Sequence, residues 1–171
     1  MKSNITLIGM PASGKSTVGV LLAKRLGFSF LDVDLMIQEK TGKLLKEIIA
    51  QEGMEGFLRV EERINQTIQA VHTVIAPGGS VIYGPKAMKH LKDISQIVYL
   101  KLSYEEVVRR LGDLTDRGVA VREGMTLRDL YQERVPLYES YADLTICEGD
   151  RGPGAVVDEL RAIMEKAMGK L

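Results

Sequence analysis

The sequence predicts an α/β fold, a parallel sheet with helices packed on both faces, and two observations carry that expectation. Apolar runs near residues 4–8, 29–33, 72–76, 96–101 and 143–147 alternate with amphipathic helical stretches along the whole chain. Strands separated by helices join into parallel sheets through crossover connections. The second observation is Ile5 to Thr17, Ile-Thr-Leu-Ile-Gly-Met-Pro-Ala-Ser-Gly-Lys-Ser-Thr, where an apolar strand runs through a glycine-bounded loop directly into a helix. No repeat, low-complexity tract or linker divides the 171 residues, so a single domain over 1–171 is expected, long enough to bury a core.

The first element carries the chemistry. Gly9 to Ser16 reads G-x-x-x-x-G-K-S, the spacing of a phosphate-binding P-loop, and it stands between a strand and a helix as such a loop must. Glycine tolerates tight backbone conformations, so successive N–H groups turn inward and cradle phosphate oxygens. Gly9, Ala12, Ser13, Gly14, Lys15, Ser16 and Thr17 are therefore the candidate nucleotide-binding residues. Lys15 brings charge to the outer phosphates and Ser16 a hydroxyl to Mg²⁺. The helix that follows, with Val18, Leu21, Leu22 and Leu26 on one face, points its positive end at the same anion.

Gly27 ends that helix, and Phe28 to Leu31 reads as the second strand, closing in Asp32-Val33-Asp34. Ligands of open α/β sheets bind beyond the carboxyl ends of the strands. Strand alternation would send Asp32 and Asp34 to one face, one serving Mg²⁺ and the other orienting or deprotonating a hydroxyl. Solvated acids at a strand end, or a helix cap at Asp34, are the competing structural reading. Residues 35–70 read as helices of an inserted lobe, punctuated by Gly42 and Gly53.

The third strand, Thr73 to Ala76, leads into Pro77-Gly78-Gly79-Ser80, where paired glycines either let a ligand approach the backbone or form a turn. A short helix with Pro85 near its start comes next, then the fourth strand, and then the capping pattern Ser103-Tyr104-Glu105-Glu106. Residues 112–126 break periodicity and carry Arg117 and Arg122 among glycines. A loop of that length in a compact domain is usually functional, a closing lid being the usual case. Thr126 and Asp129 cap the next helix, which runs to Glu133-Arg134-Val135-Pro136-Leu137-Tyr138. The fifth strand contains Cys147, expected to be buried because free cysteine behaves as a small hydrophobe. His72 and His90 lack partners at metal-ligating spacing and read as structural or surface residues.

Composition narrows the partners. Lysine plus arginine and aspartate plus glutamate number 23 each, so no global field recruits nucleic acid or an anionic membrane. The lone cysteine forms no internal disulfide, no apolar run approaches the length of a membrane span, and the first residues enter a strand at once. A cytoplasmic protein acting on a small molecule is the expectation.

Together these features resemble the shikimate kinase family, small P-loop kinases related to the nucleoside monophosphate kinases, over essentially the whole chain. The resemblance rests on the P-loop, Asp32-Val33-Asp34, Phe57 followed by Glu61, Gly78-Gly79, and a lid arginine best matched by Arg117. It rests also on Arg134 before Pro136-Leu137-Tyr138, and on Arg151-Gly152-Pro153-Gly154-Ala155-Val156-Val157. It implies a five-stranded parallel sheet of order 2-3-1-4-5, a substrate lobe at 35–70, a lid at 112–126, and a monomer. The implied activity is transfer of phosphate from ATP, with Mg²⁺, to shikimate. Lys15 and Arg117 would stabilise the phosphoryl group in flight, Ser16 and Asp32 would organise Mg²⁺, and Asp34 would orient the accepting hydroxyl. Arg134 would bind the substrate carboxylate beside Gly78 and Gly79, and Arg110, Arg151 and Pro153 would flank adenine.

Two positions depart from the family's pattern. Leu58 stands where an arginine usually follows the phenylalanine, and Arg59 is no substitute because one helical step rotates a side chain by about 100°. Pro77 stands where the first of three glycines would be, removing an N–H and fixing φ. These departures favour an acceptor less polar or smaller than shikimate, and they leave open a kinase for another small hydroxylated metabolite. An ATP-binding regulator is the remaining alternative, opposed by the joint retention of Lys15, Ser16, Asp32, Asp34 and Arg117.

Overall fold

The structure, a computed structural model, describes residues 2–111 and 122–167. Five strands, β1 (Asn4–Ile8), β2 (Ser29–Asp32), β3 (Thr73–Ala76), β4 (Ser95–Lys101) and β5 (Leu144–Cys147), form one all-parallel sheet in the order β2-β3-β1-β4-β5. Each lies within one residue of its expected position. The central strand pairs on both sides, Ile5 opposite Val74 of β3 and Gln96 of β4.

Alternation along the strands splits the apolar residues between two faces. Leu7, Val74, Val98 and Leu100 meet α1 (Lys15–Leu26) and α7 (Pro153–Ala167) through Val18, Leu22, Val156 and Leu160. On the other face, Ile8, Ile75, Ile97 and Tyr99 meet α2 (Val33–Thr41), α3 (Leu45–Asn65), α4 (Pro85–Ile94), α5 (Tyr104–Leu111) and α6 (Leu127–Tyr141). Each fully buried aliphatic side chain contributes about 1.5–3 kcal/mol relative to exposure, so the sheet is anchored from both sides and the loops at its carboxyl edge sit on a rigid base.

The local signals hold where chemistry is local. Gly27, at φ 70°, ends α1 with its N–H on the Ala23 carbonyl, Pro85 opens α4, and the Ser103 and Glu106 side chains cap the start of α5 reciprocally at 3.2 and 2.8 Å. Thr126 and Asp129 do the same for α6. Gly53, as expected, punctuates the lobe: its non-helical backbone, φ 70° and ψ 178°, kinks α3 into two helical runs. Two expectations are corrected. Of Asp32-Val33-Asp34 only Asp32 belongs to the strand: helix α2 begins at Val33, with Asp32 as its N-cap accepting from the N–H groups of Asp34 (3.0 Å) and Leu35 (3.3 Å). Cys147 is exposed, because β5 is an edge strand and Cys147 points opposite to the buried Ile146.

Candidate active site

The carboxyl ends of β1, β2 and β3 open into one cleft of about 320 Å³, walled by the P-loop, the start of α2, the Pro77–Ser80 loop and Arg134 of α6. On the P-loop side the backbone is wound as phosphate binding requires, with Ala12 at φ 62° and Gly14 at φ 78°. Gly9 has no room for a side chain: a Cβ there would lie 2.7 Å from the Leu100 carbonyl and 2.9 Å from Ser13 Oγ. Lys15 Nζ donates to the carbonyls of Gly9 (2.9 Å) and Met10 (2.8 Å). Burial brings the Lys15 pKa down to about 8, helped by the Arg134 charge and opposed by Asp34, Glu148 and Asp32.

Ser16 and Asp32 meet beside it, with Ser16 Oγ donating to Asp32 Oδ2 at 3.1 Å. One carboxylate and one hydroxyl fit Mg²⁺, which takes one or two protein oxygens and completes its shell with phosphate and water. Among the described residues no group of three or more His, Cys, Asp or Glu side chains forms an all-protein metal cage. Asp34 lines the cleft one step further out. Its pKa is raised, by burial first and by the neighbouring Asp32, with Lys15 opposing, which strengthens it as a proton acceptor.

The acceptor end is built from three layers. Gly78 and Gly79 form its floor, held by Tyr138, whose hydroxyl donates to the Gly79 carbonyl at 2.6 Å. A Cβ on Gly78 would fall 2.8 Å from Glu61 Oε1 and 3.0 Å from Asp34 Oδ1, so any side chain there would have to push these carboxylates apart. Beneath lies Glu61, 2% exposed, which accepts from Ser80 Oγ at 2.7 Å while its Oε1 has no hydrogen-bond partner among the described residues. Arg134, 1% exposed, reaches the cleft from α6. Leu58 is partly buried against the core and Arg59 is exposed, and neither borders the cleft.

Burial pushes the Glu61 pKa up to about 7, with Asp34 adding to the rise and Ser80 and Arg134 opposing it. A raised acid pKa places the stabilising form at low pH. Below the ordinary carboxyl pKa both folded and unfolded chains hold the proton, so Glu61 costs nothing. As pH climbs toward 7 the unfolded chain releases it first and stability falls. Glu61→Gln is expected to remove on the order of 2 kcal/mol of the stability lost between pH 5 and pH 8, given 1.36 kcal/mol per pKa unit. Denaturant unfolding of both proteins at the two pH values measures this, and parallel losses would show Glu61 to be ionised throughout.

On the nucleotide side Arg110 Nη1 donates to the Ala12 carbonyl (3.4 Å) and to Glu148 Oε2 (2.9 Å), joining α5 to the P-loop and to the end of β5. Arg151 follows: its Nε donates to the Glu148 carbonyl at 3.1 Å and its Nη2 to the Cys147 carbonyl, while Pro153 is the exposed first residue of α7. Glu148, buried and shared by both arginines, was not foreseen, since a single glutamate before a glycine carries no signal. Arg117 lies outside the described residues. Arg122 is turned to the acceptor side, 3.7 Å from Glu55 and 3.6 Å from Glu133.

A profile of the family described as Shikimate kinase matches residues 11–165. A shikimate kinase of Mycobacterium avium is 39% identical over 160 residues, 92% of this chain and 90% of that protein. One from Moorella thermoacetica is 37% identical over 169 residues, 96% of each chain. The solved structure of shikimate kinase from Acinetobacter baumannii in complex with shikimate superposes with a TM-score of 0.82 at 32% identity, covering 99% of this chain and 95% of that one.

Proposed function

The chain belongs to the shikimate kinase family, and from that premise we propose that it transfers the γ-phosphoryl group of ATP to shikimate, giving shikimate 3-phosphate and ADP. The observation that carries the reading is convergence. Lys15, Asp34, Gly78, Gly79 and Arg134, from four separate segments, line one cleft.

The residues divide the work. The P-loop amides from Gly9 to Thr17 and the Lys15 ammonium hold the outer phosphates. Ser16 and Asp32 hold Mg²⁺, which when bound neutralises phosphate charge. Asp34 receives the hydroxyl proton as that oxygen bonds to the γ-phosphorus and the bond to ADP breaks, and charge on the transferring group is met by preorganised cations. Arg134 takes the acceptor carboxylate above Gly78 and Gly79. Arg110, Arg151 and Pro153 flank the adenine, and Arg117 completes the charge on the phosphoryl group from a lid at 112–126. The chain works as one P-loop kinase domain with its acceptor lobe at 35–70, a cytoplasmic monomer.

Release of ADP with Mg²⁺ and ATP, measured against shikimate, quinate, gluconate, homoserine and nucleoside monophosphates, tests the acceptor. Shikimate is expected to be used with kcat/KM above about 10⁴ M⁻¹s⁻¹. Leu58 favours a second reading, a kinase of the same kind for another small hydroxylated metabolite, and preferential turnover of a different panel member would establish it. Nucleotide binding without turnover of any acceptor would instead support a regulator. Leu58→Arg is expected to lower the shikimate KM about tenfold through a second charge-assisted hydrogen bond; an unchanged KM in the folded variant would show that position 58 plays no part in the acceptor clamp.

A further inference from the structure

Arg134 does not reach the cleft unaided. Its Nη1 packs on Gly79, where a Cβ would lie 3.1 Å away, while its Nε turns from the cleft and donates to the Tyr83 hydroxyl at 3.2 Å. That hydroxyl in turn donates to Glu133 Oε1. The phenol therefore receives from one neighbour and gives to the other, the full use of a tyrosine oxygen.

The bridge is needed because Glu133 and Arg134 are consecutive in α6, and consecutive helical residues do not face each other. Tyr83 supplies the link from outside, at the end of a 3₁₀ turn (Val81–Tyr83) that begins two residues after Gly79. Its ring also lies under both guanidinium groups, with Arg134 Cζ 5.3 Å and Arg122 Cζ 5.6 Å from its centroid, within range of a cation–π contact. Arg122 Nη1 closes the cluster on Glu133 Oε2 at 3.6 Å. The Tyr83 pKa is raised, by burial first and then by Glu133, which keeps the phenol a donor.

We propose that Tyr83 is a specificity-determining positioning residue for the acceptor. By bridging Glu133 and Arg134 it fixes the plane of the Arg134 guanidinium from the Nε side, with Tyr138 also hydrogen-bonded to it, so that the guanidinium meets a planar carboxylate in one orientation. The inference rests on the reading of Arg134 as the carboxylate-binding residue, and it selects acceptors that carry a carboxylate over neutral polyols.

Tyr83→Phe keeps the ring and removes the bridge. The acceptor KM is expected to rise about tenfold, the loss of roughly one hydrogen bond to a charged group, while the ATP KM and the kcat at saturating acceptor stay within about twofold. Glu133→Leu is expected to reproduce this, and the double variant to be no worse than either single, because the two side chains act through one bridge. An unchanged acceptor KM in Tyr83→Phe, or a parallel deterioration of acceptor KM, ATP KM and melting temperature, would overturn the proposal. Wild-type enzyme that ignores shikimate but uses another carboxylate-bearing acceptor overturns the shikimate reading alone, and the Tyr83 comparison is then made on that acceptor. Wild-type enzyme that phosphorylates only neutral acceptors overturns both.

Discussion

Lys15→Met is expected to lower kcat by about 10²–10³-fold, the usual loss on removing one group aimed at transition-state charge, with little change in melting temperature. The structure explains the second half of that result. The Lys15 ammonium is desolvated beneath the P-loop, and burial has already brought its pKa to about 8, so a neutral side chain of similar length relieves as much as it removes. The same shift gives a pH signature. Bound phosphates favour the charged lysine, so below about pH 8 the nucleotide meets a cation already formed. Above it, binding must first take up a proton. The ATP KM of the wild type is therefore expected to rise from pH 8 to 9.5 and that of Lys15→Met to stay flat over the same interval. Initial rates across ATP concentrations at each pH measure both, and a flat wild-type profile would place the Lys15 pKa outside the range.

Arg134→Lys is expected to raise the acceptor KM by about 10–100-fold at unchanged ATP KM, because an ammonium cannot present two parallel N–H groups to a carboxylate. The guanidinium packs on Gly79 with Nη1 and donates to Tyr83 through Nε. A lysine placed there satisfies one of these directions and abandons the other. Arg134 is 1% exposed, so the variant should also lose stability, and the KM comparison is made at a temperature where both proteins are folded. Equal rises in acceptor and ATP KM would assign Arg134 to holding the cleft together rather than to the acceptor.

Much of this was written locally in the chain. The P-loop, the five strands and the Ser103 and Thr126 caps each depend on residues within a few positions of one another, and those signals are read at their true places. Asp34 belongs to the right site but to a helix rather than a strand, while Asp32 both ends β2 and caps α2. A strand end and a helix N-cap use the same acidic residues, and only the N–H groups of Asp34 and Leu35 converging on Asp32 decide between them. Cys147 went wrong for a different reason, since a strand pattern does not say which strand becomes the sheet's edge. The acceptor end was least legible. Ser80 meets Glu61 and Tyr83 meets Glu133 across sequence separations of 19 and 50 residues, and a solitary polar residue gives no hint of so distant a partner.

The central place of β1 also constrains how the molecule is made. Asn4–Ile8 is synthesised before both of its neighbours in the sheet, β3 and β4, with Ile5 set against Val74 and Gln96. At about 5–20 residues per second, the strand that aims the P-loop waits roughly 5–20 s for its second partner to be polymerised. Until then β1 can pair only on its β3 side, and pairing across such separations is intrinsically slow. The strand that aims the P-loop is thus held on both sides only after β4 has been added.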